Sequence, residues 1–394
     1  MIEFLKIGDF AEVITGGTPS TLNKEYWEGG DIPWLNSGEL NQDIVNSSRN
    51  FITKEGLRNS AARLMPPDSV LIALTGATTG KIGYLTFEAC ANQSVTGILP
   101  SERHFPKFLY FYLNSIRKKV LNDAYGGAQP HISQGYVKNL KISLPPLENQ
   151  KKIAAILDKA DELRRNDKKI LEKFDRLAQS IFLEMFGDPV MNEKGWEKLS
   201  LGEIASEIKY GTNAKSFDNY QEGSIPVIRI PNINFGYVNF RDLKYSTLPK
   251  KELENVSLKK GDLLFVRSNG NPDYIGRCAM YNSDFDAVFA SYLIRVKVNR
   301  NISIRPDFIA YHINYKSFRR RVIREARTTA GNYNLNTAGL RSFELITPPI
   351  ELQNRFATII EKIENQKELC QQSLQKSEEL FQSMLQRAFR GELV

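Results

Sequence analysis

Cysteine and histidine are scarce in this 394-residue chain, with three of each. Cys90, Cys278 and Cys370 form no Cys-x-x-Cys pair, which excludes a disulfide framework and points to a reducing compartment. His104, His131 and His312 lie far apart with no cysteine nearby, so they suggest no zinc site and no metal is expected. His312 falls inside a helical apolar pattern and reads as a structural residue. No apolar run approaches the ~20 residues of a membrane span; 70–74 is typical. The opening MIEFLKIGDF lacks the basic and apolar regions of a signal peptide. A cytoplasmic protein with no membrane partner is expected.

Catalytic motifs are missing as well. The run Gly76-Ala77-Thr78-Thr79-Gly80-Lys81-Ile82 is one residue short of a phosphate loop, and Ile82 replaces the Ser or Thr that would ligate Mg²⁺. It reads as a glycine-rich turn after a strand. Asn271-Pro272-Asp273-Tyr274 is near the Asn-Pro-Pro-Tyr of adenine methyltransferases, yet no glycine-rich cofactor loop precedes it, so it reads as a polar turn. No carboxylate cluster has nuclease-like spacing. Neither a catalytic residue nor a cofactor is expected on this chain.

What the chain does have is a duplication. At 144–187, two prolines (Pro145, Pro146) open a long amphipathic pattern that Gly187 and Pro189 close. Ile153, Ala160, Phe174 and Ile181 fall on one heptad track, with Ile156, Leu163, Ile170 and Leu177 on another. Only Asp167 interrupts the pattern. The stretch 345–394 repeats the design: Pro145-Pro146 match Pro348-Pro349, Gln150 matches Gln353 and Phe186 matches Phe389. Its seam is Phe356, Ile359, Ile363, Leu380 and Met384, with Gln366, Cys370, Ser373 and Ser377 at nominal seam positions, where either the frame shifts or polar residues fix the register.

The regions ahead of each helix match too. Gly17-Thr18 parallels Gly211-Thr212, and Ile32-Pro33 parallels Ile225-Pro226. Asp68-Ser69-Val70-Leu71 parallels Asp262-Leu263-Leu264-Phe265, and Ile82-Gly83 parallels Ile275-Gly276. Gly127-Ala128-Gln129 with Ile132 resembles Ala330-Gly331-Asn332 with Leu335. Both regions read as mixed and β-rich, with strands near 69–74, 95–99, 262–267 and 288–298 and helices over 106–122 and 306–327. The second helix has nothing after it, so if the seams pair it runs back along the first, giving an antiparallel two-helix coiled coil about 50–55 Å long. The expected architecture is α+β: mixed globules at 1–143 and 188–344, separated by coiled-coil helices at 144–187 and 345–394, with a pseudo-twofold internal repeat.

Two unlike globules, each running into a helix that opens LPPLENQKKIAAIL or TPPIELQNRFATII, resemble the specificity (S) subunit of type I restriction–modification enzymes. The likeness spans the chain, through Gly16-Gly17-Thr18-Pro19, Ile32-Pro33-Trp34, Ala91-Asn92-Gln93, Gly127 to Ile132 and the terminal Arg390-Gly391-Glu392-Leu393. It implies that each globule is a target recognition domain reading one half of a split, asymmetric DNA sequence. It implies that the helices set the unread spacer and dock two methyltransferase (M) subunits, with up to two restriction–translocase (R) subunits in the full assembly. S-adenosylmethionine, ATP and Mg²⁺ would then belong to the partner subunits. Net charge +8 and pI near 9.1 agree with double-stranded DNA as partner. The rival reading is a fused methyltransferase or nuclease with its own active site.

Base readout falls to Arg, Lys, Asn and Gln on loops, and phosphate contacts to Lys and Arg. In the first globule the candidates are Thr78, Lys81, Asn92, Gln93, Gln129, His131 and Ser133, which flank glycine-rich turns. In the second they are Arg267, Asn269, Asn271, Asn332, Asn334 and Asn336, with Arg277, Arg319 and Arg320 as phosphate contacts. Turn stabilisation is the competing role for each Asn and Ser, and a solvated face is the competing role for the 319–327 arginines.

Overall fold

In the computed structural model the described residues are 4–126, 130–329 and 332–393. The chain divides into two compact units, Met1–Lys168 with Gln372–Val394, and Lys169–Gln371. The boundaries fall inside the long helices, Leu147–Phe186 and Ile350–Phe389, so each unit holds a globule and part of both helices.

The first unit is built on a five-stranded sheet in the order Val13–Thr15, Val95–Ile98, Val70–Ala73, Ile82–Leu85, Ile44–Val45. Val70 to Ala73 are buried on both faces, which explains an unbroken apolar run in place of alternation. A three-stranded sheet (Asn50–Ile52, Ile32–Leu35, Cys90–Ala91) flanks it. Phe4–Lys6 pairs with Lys141–Ser143, just before the long helix. The second unit repeats the plan: Ala205–Tyr210, Leu293–Val298, Leu263–Val266, Cys278–Met280, Gly236–Tyr237, with its own three-stranded and two-stranded sheets. The fold is mixed α+β.

Hydrogen bonds fix which residues of the two units are equivalent, and they shift the alignment read from sequence. Gly80 N–H donates to Ala73 O and Gly276 N–H to Val266 O, each at 2.8 Å, and both glycines lie in the left-handed region. Gly276 therefore corresponds to Gly80 and not to Gly83, and Val70 corresponds to Leu263, one residue off the expected match. The slip arises because the connecting loop runs over 74–79 in the first unit and 267–275 in the second. Sequence landmarks on its two sides cannot share one offset.

Neither expected helix is continuous. The first breaks at Ile116 into Pro106–Ser115 and Arg117–Asn122, where Asn114 and Ser115 donate to the carbonyls of Tyr110 and Tyr112. The second breaks at Tyr315, whose backbone is extended, into Pro306–Asn314 and Lys316–Glu325. Expected strand 288–298 is likewise two strands, Val288–Phe289 and Leu293–Val298. His312 is fully buried, and its Nε2 accepts the Ile346 N–H at 3.2 Å. Burial holds its pKa down to about 3, so it stays neutral and can serve as that acceptor.

One glutamine latches each globule to its helix. Gln150 Oε1 accepts the Phe105 N–H at 2.8 Å while its Nε2 donates to Pro145 O at 2.8 Å. Gln353 does the same to Arg305 N–H (2.8 Å) and Pro348 O (2.7 Å), and both side chains are buried. Gln353→Ala leaves a buried N–H and carbonyls without partners, which costs about 1–3 kcal/mol. Urea unfolding followed through Trp196, which lies in the second unit, should register that loss.

The structure corrects the phase of the helical seam. In the first unit Ile153, Ala154, Leu157 and Ala160 are buried with Phe381, Leu385 and Ala388. In the second, Ala178, Phe182 and Phe186 are buried with Phe356, Ile360 and Ile363. Phe174, Ile181 and Met384 pack half-buried against these cores. The other predicted seam positions, Ile156, Leu163, Ile170, Leu177, Ile359 and Leu380, are exposed. The reason is that each helix serves its globule as well as the other helix. The buried stripe widens through four-residue steps, such as Ile153–Leu157 and Phe182–Phe186, and the second track turns outward. Polar groups fill the middle. Asp167 accepts from Ser377 at 2.8 Å and Lys168 pairs with Glu378 at 3.0 Å in the first unit. In the second unit Lys367 pairs with Asp175 at 2.8 Å.

Candidate nucleic-acid interface

In the first unit the candidate residues gather around Thr75. Its backbone bridges to His131, and its hydroxyl donates to Ser94 Oγ at 2.8 Å. The Ser94 N–H donates in turn to Asn92 Oδ1 at 3.1 Å. Thr78 is half-buried on the one-turn helix Gly76–Thr78, and Thr79 Oγ1 ties that turn to Pro130 O at 2.7 Å. Loops 75–79, 92–94 and 130–133 thus meet as one surface. Gln93 is exposed and accepts the Thr18 hydroxyl at 2.5 Å. The His131 ring stands edge-on to exposed Tyr125, with centroids 5.1 Å apart. Ser133 caps helix Gln134–Asn139 by accepting the Tyr136 N–H. The Lys81 N–H donates to Thr78 O at 2.9 Å, and Lys81 lines a cleft of about 510 Å³ with Arg117, Lys118 and Arg164. Gln129 lies outside the described residues.

The second unit carries a further three-stranded antiparallel sheet at the equivalent place: Ser268–Asn269, Asn332–Asn334, Arg327–Thr329. Asn269 stands opposite Tyr333, and Asn332 opposite Thr329, so Asn269, Asn332 and Asn334 come together. Just before this sheet, the Arg267 guanidinium lies 4.5 Å from the Tyr210 ring centroid and donates weakly to Ser291 O at 3.4 Å. This stacking orients a planar donor fork whose remaining N–H groups suit bidentate acceptors. Asn269 Oδ1 accepts the Asn271 N–H, and Asn271 Oδ1 accepts the Asp273 N–H, so both oxygens shape the turn. Asn336 caps helix Thr337–Arg341. Arg277 stacks on Tyr274 at 4.0 Å and donates to Asp273 O at 2.8 Å.

Of the two helix arginines, Arg320 is exposed and Arg319 is not. Arg319 is 9% exposed, on the inward face with Phe318 and Val322, and its Nη2 donates to Asp273 O at 3.2 Å. Burial and the neighbouring Arg277 lower its pKa to about 10. It is a buried prop under the loop and not a surface phosphate contact, because consecutive helical positions point about 100° apart.

Sequence reasoning missed the aromatic members, Tyr210 under Arg267 and Tyr292, which is 60% exposed and whose carbonyl accepts the Arg267 N–H. It also missed Arg117 and Lys118, which line the cleft with Lys81. Among the described residues no group of three or more His, Cys, Asp or Glu could hold a metal ion. Among them, too, no helix is long and apolar enough to cross a membrane.

The profile of the family described as type I restriction modification DNA specificity domain matches residues 2–175 and 193–379. The MjaIX type I restriction enzyme specificity subunit of Methanocaldococcus jannaschii is 32% identical over 249 residues, 58% of this chain and 57% of that protein. The chain thus spans little more than half the length of that relative. The EcoKI specificity subunit of Escherichia coli (strain K12) is 24% identical over 394 residues, covering 93% of this chain and 84% of that one. The solved S subunit of the type I restriction–modification system of M. genitalium shares the fold, with TM-score 0.55 at 16% identity, over 98% of this chain and 96% of that one. With both halves matched in succession, the chain belongs to the type I restriction–modification DNA specificity family, that of the specificity subunits.

Proposed function

We propose that this chain is the non-catalytic DNA-reading subunit of a type I restriction–modification complex, each globule recognising one half of a two-part, asymmetric site. The observation that carries this is equivalence of position without equivalence of chemistry. The same hydrogen bonds that match Leu74 to Arg267 and Ile132 to Leu335 put Leu74 where the second unit has Arg267, and His131 where it has Asn334. Two surfaces with one framework and different donors and acceptors suit two different base sequences. A symmetric pair would favour a palindrome.

The long helices set the unread interval between the half-sites. The apolar side chains they expose, Ile156 and Leu163 in the first unit and Ile170 and Leu177 in the second, dock one methyltransferase subunit per unit. S-adenosylmethionine belongs to those subunits, and ATP and Mg²⁺ to restriction–translocase subunits that join them. Lys81, Lys118, Arg277 and Arg320 contact phosphates.

Arg267 is the best-oriented reader. Arg267→Ala, assayed in the assembled methyltransferase on a library of base-substituted duplexes, is expected to relax discrimination at one base of one half-site. A lost bidentate contact is worth about 1–3 kcal/mol, roughly 10- to 100-fold. Affinity for all duplexes should fall steeply with salt. Equal loss at both half-sites would contradict two separate readers.

A further inference from the structure

Each unit ties its reading loop to a neighbouring helix through an arginine. In the first unit Arg117 Nε donates to Gly80 O at 3.1 Å. In the second, Arg319 Nη2 donates to Asp273 O at 3.2 Å. The acceptors are not equivalent, since Asp273 lies three residues ahead of Gly276, but the arginines are placed alike. Each lies three residues ahead of a valine, Val120 or Val322, that packs on the loop's left-handed glycine, Gly80 or Gly276. The approach at Gly276 is so close that an added Cβ would stand 2.3 Å from Val322 and 3.5 Å from Arg319 Nη1.

Arg319 is costly where it stands. It is nine-tenths buried, and its Nη1 has no hydrogen-bond partner. A methionine would fill that space without an unsatisfied donor, so packing alone does not account for a guanidinium there. What it supplies is a long, rigid donor to a loop carbonyl that no strand or helix satisfies. That Arg117 also donates to a carbonyl at the exit of its own loop, Gly80 O, in a unit with mostly different residues gives a second instance.

We propose that Arg117 and Arg319 are positioning residues for sequence discrimination, each fixing the backbone of the loop that presents its own unit's base-reading side chains. This deepens the proposed function and rests on it. The loops are already pinned at their exits by Gly80 N–H and Gly276 N–H. The arginine bond adds a hold near the same end of each loop, on Gly80 O in one and on Asp273 O in the other, and the side chains of Thr78 in one unit, and of Asn269 and Asn271 in the other, lie just ahead of it. Arg277 reinforces the second loop by donating to the same Asp273 carbonyl at 2.8 Å. Loosening a reader by even a fraction of an ångström blurs a bidentate contact, because its two hydrogen bonds must align together.

The test uses the assembled methyltransferase with the full chain and duplexes carrying every single-base change across both half-sites. Arg319→Met is expected to cut the ratio of cognate to single-mismatch methylation about tenfold in one half-site, the scale of one impaired base contact. Arg117→Met should do so in the other half-site. Arg319→Lys and Arg117→Lys, which keep one donor, should recover part of each ratio. Hydrogen exchange at the amides of 76–80 or 270–276 should quicken in the matching Met variant alone. Should Arg319→Met fail to fold, half-exposed Arg117 decides the question through its own ratio and exchange. Rates that fall in the same proportion on every duplex, with ratios unchanged, would mean a merely structural arginine and overturn the proposal. So would either variant relaxing both half-sites. A wild-type complex that methylates no two-part motif sinks the function reading as well; a two-part motif with unaltered ratios in the variants sinks only the positioning role.

Discussion

Phe186→Ala is expected to destabilise the second unit by about 3–5 kcal/mol, the range for emptying a large aromatic site in a rigid core. Phe186 is fully buried at the last residue of the first long helix. Its ring meets Phe308 at 4.8 Å, Phe182 at 5.1 Å and Phe356 at 5.2 Å between centroids. Those neighbours come from three separate helices, so no single element can shift to refill the space. Phe182 adds stacked contacts to Phe308 and Tyr315. Just beyond, Gly187 turns the chain through the left-handed region, and the Trp196 indole N–H returns to Phe186 O at 2.8 Å. That indole is a convenient reporter: Trp27 and Trp34 lie in the first unit and Trp196 in the second. Urea unfolding of the variant should lower the Trp196 midpoint sharply. Leu183→Ala, on an exposed side chain of the same turn, should change it by less than about 0.5 kcal/mol. Equal losses in the two variants would mean that the aromatic cluster is not what binds helix to globule.

The second large effect concerns assembly and leaves the fold intact. Leu163 is 54% exposed and Leu177 is 46% exposed. A charged residue at either place therefore loses little within the chain itself. In an apolar protein interface it would be buried without a partner, at a cost of several kcal/mol. Leu163→Asp is expected to leave the complex with one methyltransferase copy, Leu177→Asp likewise, and the double variant with none. Native mass spectrometry reads the copy number directly, and methylation by the double variant should fall at least 100-fold at working concentrations, the scale of a few kcal/mol of binding. Thermal unfolding of the isolated chain should be unaltered. Full copy number in the double variant would remove the docking role from these side chains.

The helices were legible because punctuation and periodicity agree. Pro145 and Pro146 precede the first, Gly187 follows it, and Gln150 recurs as Gln353. What the heptad pattern could not reveal is which side of Ile153 faces inward. Two tracks of similar hydrophobicity looked like a seam, yet Ile156 and Leu163 point outward, because a helix that also caps a globule buries a wider, rotated stripe. A single sequence shows that a side chain is apolar and gives no sign of what covers it. In the candidate interface, loop positions were readable from glycine and asparagine content, and the structure brings Asn269, Asn332 and Asn334 together. Arg319 and Arg320 were indistinguishable as letters and have opposite surroundings. Tyr210 and Arg267 lie far apart in sequence, so their stack left no trace there.

The loops that separate Ala73 from Gly80 and Val266 from Gly276 differ by three residues, yet both end on the same glycine hydrogen bond to the same strand position. An insertion there is absorbed without displacing a strand. On the proposed two-part readout, new binding preferences would arise by exchanging a short cassette, and each half of the target would drift independently while the framework that carries it stays constant.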